Sequence, residues 1–171
     1  MPKRPKGHEQ TPPPLFPDLP LRPLETAPQI RPLLYPLWTQ NKAKLIERYL
    51  YYFVLVTKHG TYIDGFAGPQ NPEKPETWAA KLMLESEPRR FRQFYLFDKG
   101  SKQIKLLNSL RKEVLASAPK LDIQIKQGDF NVLLIELLDS KSISQREATF
   151  CLLDQRTFDC KWSTVQALAS Y

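Results

Sequence analysis

From Thr61 onward, a short apolar run followed by a segment of helical periodicity recurs four times. No other feature constrains the fold as strongly. Strands that each need a helical crossover before the next can pair in parallel, and the crossovers place helices on the sheet faces. The expected strands cover 61–64, 93–97, 122–126 and 148–153. The helices between and after them cover 77–85, 101–116, 131–138 and 161–169. An opening helix is expected over 42–57, where Leu45, Ile46, Tyr49, Leu50, Phe53 and Val54 recur at helical spacing. Asn41 is suited to its N-cap, and Gly60 to a left-handed position after its C-terminus. Ile123 and Ile125 alternate with polar neighbours, whereas 148–153 is almost continuously apolar, which predicts a central strand buried on both faces. The expected fold class is α/β, Rossmann-like, with a parallel sheet and helices on both faces. A doubly wound sheet normally has more than four strands, so the pattern implies truncation at the C-terminus.

Upstream of this alternation, residues 1–36 hold 11 of the 16 prolines. Each proline fixes φ and removes a backbone donor, so neither a helix nor a central strand survives that density. The segment is expected to be an extended, proline-rich arm whose apolar residues, among them Phe16, Leu24 and Leu34, can dock on the domain. The domain itself is expected over 37–171.

Several function classes are excluded at this stage. The most apolar stretch, Leu45 to Val56, is interrupted by Glu47 and Arg48 and falls short of the roughly 20 apolar residues that span a bilayer. The basic N-terminus has no apolar run behind it, unlike a secretory signal. A cytoplasmic protein without membrane contact is expected. Cys151 and Cys160 have no histidine at zinc-ligand spacing, so a metal site is not expected, and both read as structural. The net charge of +7 is compatible with a nucleic-acid partner, although the basic residues are dispersed. The densest group, Arg89, Arg90 and Arg92, reads as a solvated loop face.

Ligands of open parallel sheets bind beyond the carboxyl ends of the strands. The four tips read Asp64-Gly65-Phe66-Ala67-Gly68, Asp98-Lys99-Gly100, Gly128-Asp129-Phe130-Asn131 and Asp154-Gln155-Arg156. Each carries an aspartate. Glycines in the first turn let a ligand lie against the backbone. An aspartate after the second strand can accept hydrogen bonds from both hydroxyls of a ribose, and one at the third tip from an adenine amino group. Helix N-termini at the same edge offer N–H groups to a carboxylate. No G-x-x-x-x-G-K-[ST] or G-x-G-x-x-G pattern is present, which argues against a P-loop nucleotide site and a dinucleotide site. Asp64 suits a cationic sulfonium and ammonium better than a pyrophosphate. The pattern fits an adenosine ligand with an amino-acid end and no phosphate.

The segment Tyr62-Ile63-Asp64-Gly65-Phe66-Ala67-Gly68-Pro69 resembles motif I of class I methyltransferases in its D-x-F-x-G form. It is especially similar to the three-Cys-motif partner protein family, as are Lys42-Ala43-Lys44 and the aromatic run Tyr49–Phe53 in the upstream helix. FYLFDK, QGDFN and FCLLDQRTFDCKW fall where that family's later motifs lie. The resemblance spans about residues 37–171. It implies S-adenosylmethionine as cofactor, with Asp64, Gly65, Phe66 and Gly68 at its methionine part, Asp98 at the ribose, and Gly128 and Asp129 at the adenine. Asp154, Gln155 and Arg156 would face the transferred methyl group, as base, hydrogen-bonding group and anion anchor. It also implies a three-Cys-motif protein as partner.

Two features depart from the family and from its amine-methylating relatives. Gln70 stands where many relatives have glycine. The fourth tip reads DQRT rather than D/N-P-P-[FY], which argues against methylation of exocyclic amino groups. Two function classes follow: a methyltransferase of unspecified acceptor, and a partner-dependent interaction protein that retains the cofactor fold.

Overall fold

In the computed structural model, the structure describes residues 37–87, 91–155 and 159–171. The proline-rich arm and Arg89, Arg90 and Arg156 lie outside the described residues. Among those described, four strands form one all-parallel sheet: β1 (Gly60–Asp64), β2 (Phe91–Asp98), β3 (Asp122–Gln127) and β4 (Thr149–Leu152). The helices are α1 (Leu37–Thr57), α2 (Ala79–Glu85), α3 (Ser101–Ser117), α4 (Phe130–Asp139) and α5 (Trp162–Ser170). The strand order is β3-β2-β1-β4, so the direction of winding reverses between β1 and β4. This is an α/β, Rossmann-like architecture.

Strand alternation divides the core in two. Tyr62, Phe94, Leu96 and Ile123 face one side and pack with Leu50 and Val54 of α1, Met83 of α2, and Leu107, Leu110 and Val114 of α3. Ile63, Tyr95 and Phe97 face the other side, against Phe130, Leu134 and Leu137 of α4 and Leu168 of α5. A period of two along each strand therefore feeds two layers of helices. Cys151, also on this second face, is a free thiol that burial pushes well above its ordinary range.

Four expectations are corrected. The opening helix begins at Leu37, so Asn41 lies inside it; nothing in the sequence after Pro36 breaks a helix. The left-handed residue after α1 is Lys58 (φ 67°), and Gly60 is already the first residue of β1, packed so closely that a Cβ would come within 2.8 Å of the Ala148 carbonyl oxygen. The expected helix over 77–85 is split into a single 3-10 turn, Pro75–Thr77, and α2. The break falls at Trp78, which is extended (φ −94°, ψ 99°) and donates its indole N–H to the Ala67 carbonyl at 2.6 Å. Finally, β4 is at the edge of the described sheet and half-buried, whereas β1 and β2 are central. An apolar run reports that both faces of a strand are covered, and β4 meets Tyr49 and Phe53 of α1 on one of them; it says nothing about neighbours within the sheet.

No helix among the described residues is long and apolar enough to cross a membrane. The core assignment gives a direct expectation. Leu134 is fully buried and Leu45 is 69% exposed. Leu134→Ala should lower unfolding free energy by about 3 kcal/mol in urea titrations, and Leu45→Ala by less than about 0.5 kcal/mol.

Candidate functional site

The tip of β1 is held from four directions. Gly65 N–H donates to the Leu152 carbonyl of β4 at 3.1 Å, and Ala67 N–H to the Phe97 carbonyl of β2 at 2.8 Å. Phe66 N–H donates to Asp64 Oδ1 at 3.0 Å, and Gly68 N–H to Asp98 Oδ2 at 2.9 Å. The second oxygen of Asp98 accepts from Gly100 N–H at 2.8 Å. Asp98 thus joins the first turn to the start of α3. The joint is close: a Cβ at Gly68 would overlap both Gln103 and the Asp98 carboxylate. Gly128 at the third tip has φ +156°, and its own N–H is bound to the Asp98 carbonyl at 3.0 Å.

These constraints leave two adjoining cavities at the carboxyl edge of the sheet. The larger opens over Gly65, Asp98, Gly100, Gly128 and Phe130. The smaller lies between the tips of β1 and β4 and helices α1 and α2, over Ile46, Asp64, Trp78 and Leu152. Phe66, Gly68, Gln70 and Asp154 line both. Six expected residues, Gly65, Phe66, Gly68, Asp98, Gly128 and Asp154, therefore converge on the larger cavity, and Asp64 joins the last-named aspartate at the smaller. Two other expected residues line neither. Asp129 caps α4: its Oδ1 accepts from Asn131 N–H at 2.9 Å and from the Asn131 side-chain amide at 2.8 Å, and Lys99 Nζ lies 3.3 Å from its Oδ2. The Asn131 donors, then Lys99, hold the Asp129 carboxyl below its ordinary range. Gln155 accepts from Cys160 N–H at 2.6 Å and so braces the chain after β4.

Asp64 is the most perturbed acid of the site. It is 2% exposed. Burial pushes its carboxyl up to about 7, against the pull of the Phe66 N–H and the Tyr62 hydroxyl (3.1 Å); the charges of Asp154 and Asp98 push it further in the same direction. A cation entering the smaller cavity meets a carboxylate that ionises near neutrality.

Two groups escaped the sequence reading. Asn131 is nearly buried, and all four of its hydrogen-bonding positions are used. Its amide donates to Asp129 and to the Asp159 carbonyl (2.8 Å), and its oxygen accepts from Lys161 N–H (2.8 Å) and Thr164 Oγ1 (2.7 Å). It fastens α4 to the start of α5. A polar residue in the first turn of a helix gives no sign of such partners. Lys42 of α1 forms an ion pair with Asp154 across 112 positions of sequence. The sequence showed Lys42 only as part of a helix start.

Comparison of the chain with family models, with curated proteins and with solved structures returns no match.

Two outcomes are expected. Because Asp64 binds its proton more tightly when folded than when unfolded, the stability it contributes is complete below the ordinary carboxylate value of 3.8 and is lost as pH rises from there through about 7. Asp64→Asn removes that loss while keeping a Phe66 partner. Thermal melts should show the variant gaining on the parent by on the order of 2 kcal/mol between pH 5 and pH 8.5. Asn131→Ala should cost about 2–3 kcal/mol, because it strips partners at once from the buried Thr164 hydroxyl and from part-buried groups at Asp129, Asp159 and Lys161.

Proposed function

We propose that this chain binds S-adenosylmethionine and belongs among class I methyltransferase-like proteins, as its resemblance to the three-Cys-motif partner protein family implies. The observation that carries the reading is the pair of joined cavities, one over Asp98, Gly100 and Gly128 and one acidic, meeting at Phe66, Gly68 and Asp154.

The residues present fit that cofactor. Each Asp98 oxygen accepts one backbone N–H, and a carboxylate oxygen has capacity for a second donor, so both ribose hydroxyls can be held. The bare backbone at Gly65, Gly68 and Gly128 admits close approach. Phe66 and Phe130, whose rings lie 5.8 Å apart, give the cleft an aromatic floor. Asp64 and Asp154 supply negative charge at the smaller cavity, where a sulfonium and an ammonium would lie. When bound, the cofactor supplies an electrophilic methyl carbon for in-line displacement. The protein's part is to orient the cofactor, to exclude water at the β1–β4 junction, and to hold an acceptor in line with the methyl group. The acceptor class favoured by the net charge of +7 is nucleic acid.

A second reading, the partner-dependent interaction protein, draws support from α1. Leu45, Tyr49, Tyr51, Leu55 and Val56 are exposed on it, an apolar surface of the kind that partners cover. A three-Cys-motif protein is the partner the resemblance implies. Methyl transfer from labelled cofactor to RNA or DNA by the isolated chain separates the two readings.

Calorimetric titration with S-adenosylhomocysteine tests the binding itself. Saturable one-site binding is expected. Gly68→Ala should weaken it by at least about tenfold through displacement of the Asp98 joint, and Asp98→Ala by on the order of a hundredfold. With S-adenosylmethionine, affinity should rise with pH up to about 7, with proton release, and Asp64→Asn should flatten that dependence.

A further inference from the structure

The Lys42–Asp154 pair is placed unlike an ordinary surface ion pair. It joins the first turns of α1 to the tip of β4 and is part-buried, with the side chains 39% and 19% exposed. Asp154 stands where the two cavities meet, and Ala43, the neighbour of Lys42, lines the smaller one. The charge inventory of that smaller cavity is otherwise acidic, since Asp64 is its other ionisable lining residue. Lys99, the other cation paired with a carboxylate at this edge among the described residues, lines the larger cavity and pairs with Asp129 and Asp159.

An α-amino acid end carries an ammonium and a carboxylate a few ångströms apart. A cavity with only carboxylates would take the ammonium and repel the carboxylate. We infer that Lys42 and Asp154 form a zwitterion clamp: the ligand's ammonium takes a place on Asp154, facing Asp64, and Lys42 swings from Asp154 to the ligand's carboxylate. One internal ion pair is exchanged for two intermolecular ones, and the net charge of the site is unchanged. This inference rests on the adenosyl-cofactor reading and adds to it the residues that select a ligand by its amino-acid end. Lys42 and Asp154 are binding residues in this account, and the pair explains why a lysine from α1 reaches the tip of β4. The clamp also gives α1 a function in the site, since its first turns would be fixed by the ligand.

The test uses two ligands that share adenosine and the thioether sulfur. S-adenosylhomocysteine has the amino-acid end, and 5′-methylthioadenosine lacks it. Both are titrated by calorimetry into the full chain, Lys42→Met, Lys42→Arg and Asp154→Asn, with a thermal melt of each variant to establish that it is folded. The parent should prefer S-adenosylhomocysteine by on the order of a hundredfold. Lys42→Met and Asp154→Asn should each reduce that preference to a few-fold, and Lys42→Arg should keep most of it. Equal affinity of the parent for both ligands overturns the clamp and leaves the adenosine site standing. A preference unchanged in a folded Lys42→Met also overturns it. Failure of the parent to bind either ligand overturns both the clamp and the reading beneath it. Lys42 is partly exposed on a helix surface, so the Lys42→Met variant keeps the test decisive if Asp154→Asn does not fold.

Discussion

The carboxylate of Asp98 is the joint on which the candidate site depends. Its two oxygens accept the N–H groups of Gly68 and Gly100, and its own backbone carbonyl accepts from Gly128. One residue at the end of β2 thus sets the positions of the turns after β1, β2 and β3. A turn rich in glycine has little preference of its own and would otherwise sample many conformations. Charge-assisted hydrogen bonds to a half-buried carboxylate remove that freedom before any ligand arrives. The same joint requires glycine at 68, because Gln103 of α3 leaves no room for a Cβ. Preorganisation of the cleft and close packing of α3 against the first turn are one constraint.

The arrangement also separates two kinds of acid at the sheet edge. Asp98 and Asp129 accept backbone and side-chain N–H groups that shape the turns, and Asp98 keeps one free acceptor position on each oxygen. Asp64 is buried beneath the smaller cavity with its carboxyl raised to about 7, and Asp154 faces both cavities in a pair with Lys42. Four aspartates that look alike along the chain have different chemistry in the fold. The division follows burial and donor supply: Asp98 and Asp129 lie next to helix starts and fix turns, and Asp64 and Asp154 lie at the β1–β4 junction, where the winding of the sheet reverses.

Much of this was legible in the chain itself. The switch between periods of two and 3.6 residues marks strands and helices wherever an element is half-buried, as in β3 and α3, so the α/β alternation and the strand ends could be read. The tips then followed, because parallel strands bring their carboxyl ends to one edge. What could not be read depends on distance in sequence. Nothing local to Ala148–Leu153 shows that β4 has β1 for a neighbour and no described strand on its other side. Nothing local to Trp78 shows that its indole reaches Ala67 and interrupts a helix. Asn131 and Lys42 act through partners about 30 and 112 positions away. Asp129 illustrates the opposite case: its position before a helix suits a cap, and donors from Asn131 in that helix make it one.

The central claim is that the two cavities together hold one adenosyl ligand across the β1–β4 junction. The most direct measurement is a crystal structure of the chain grown with S-adenosylhomocysteine. The account predicts ligand density with both ribose hydroxyls within hydrogen-bonding distance of Asp98, the adenine beside Gly128 and Phe130, and the sulfur near Phe66 and Asp154. Density for the ligand elsewhere on the molecule, or a cleft without ligand at saturating concentration, would contradict it.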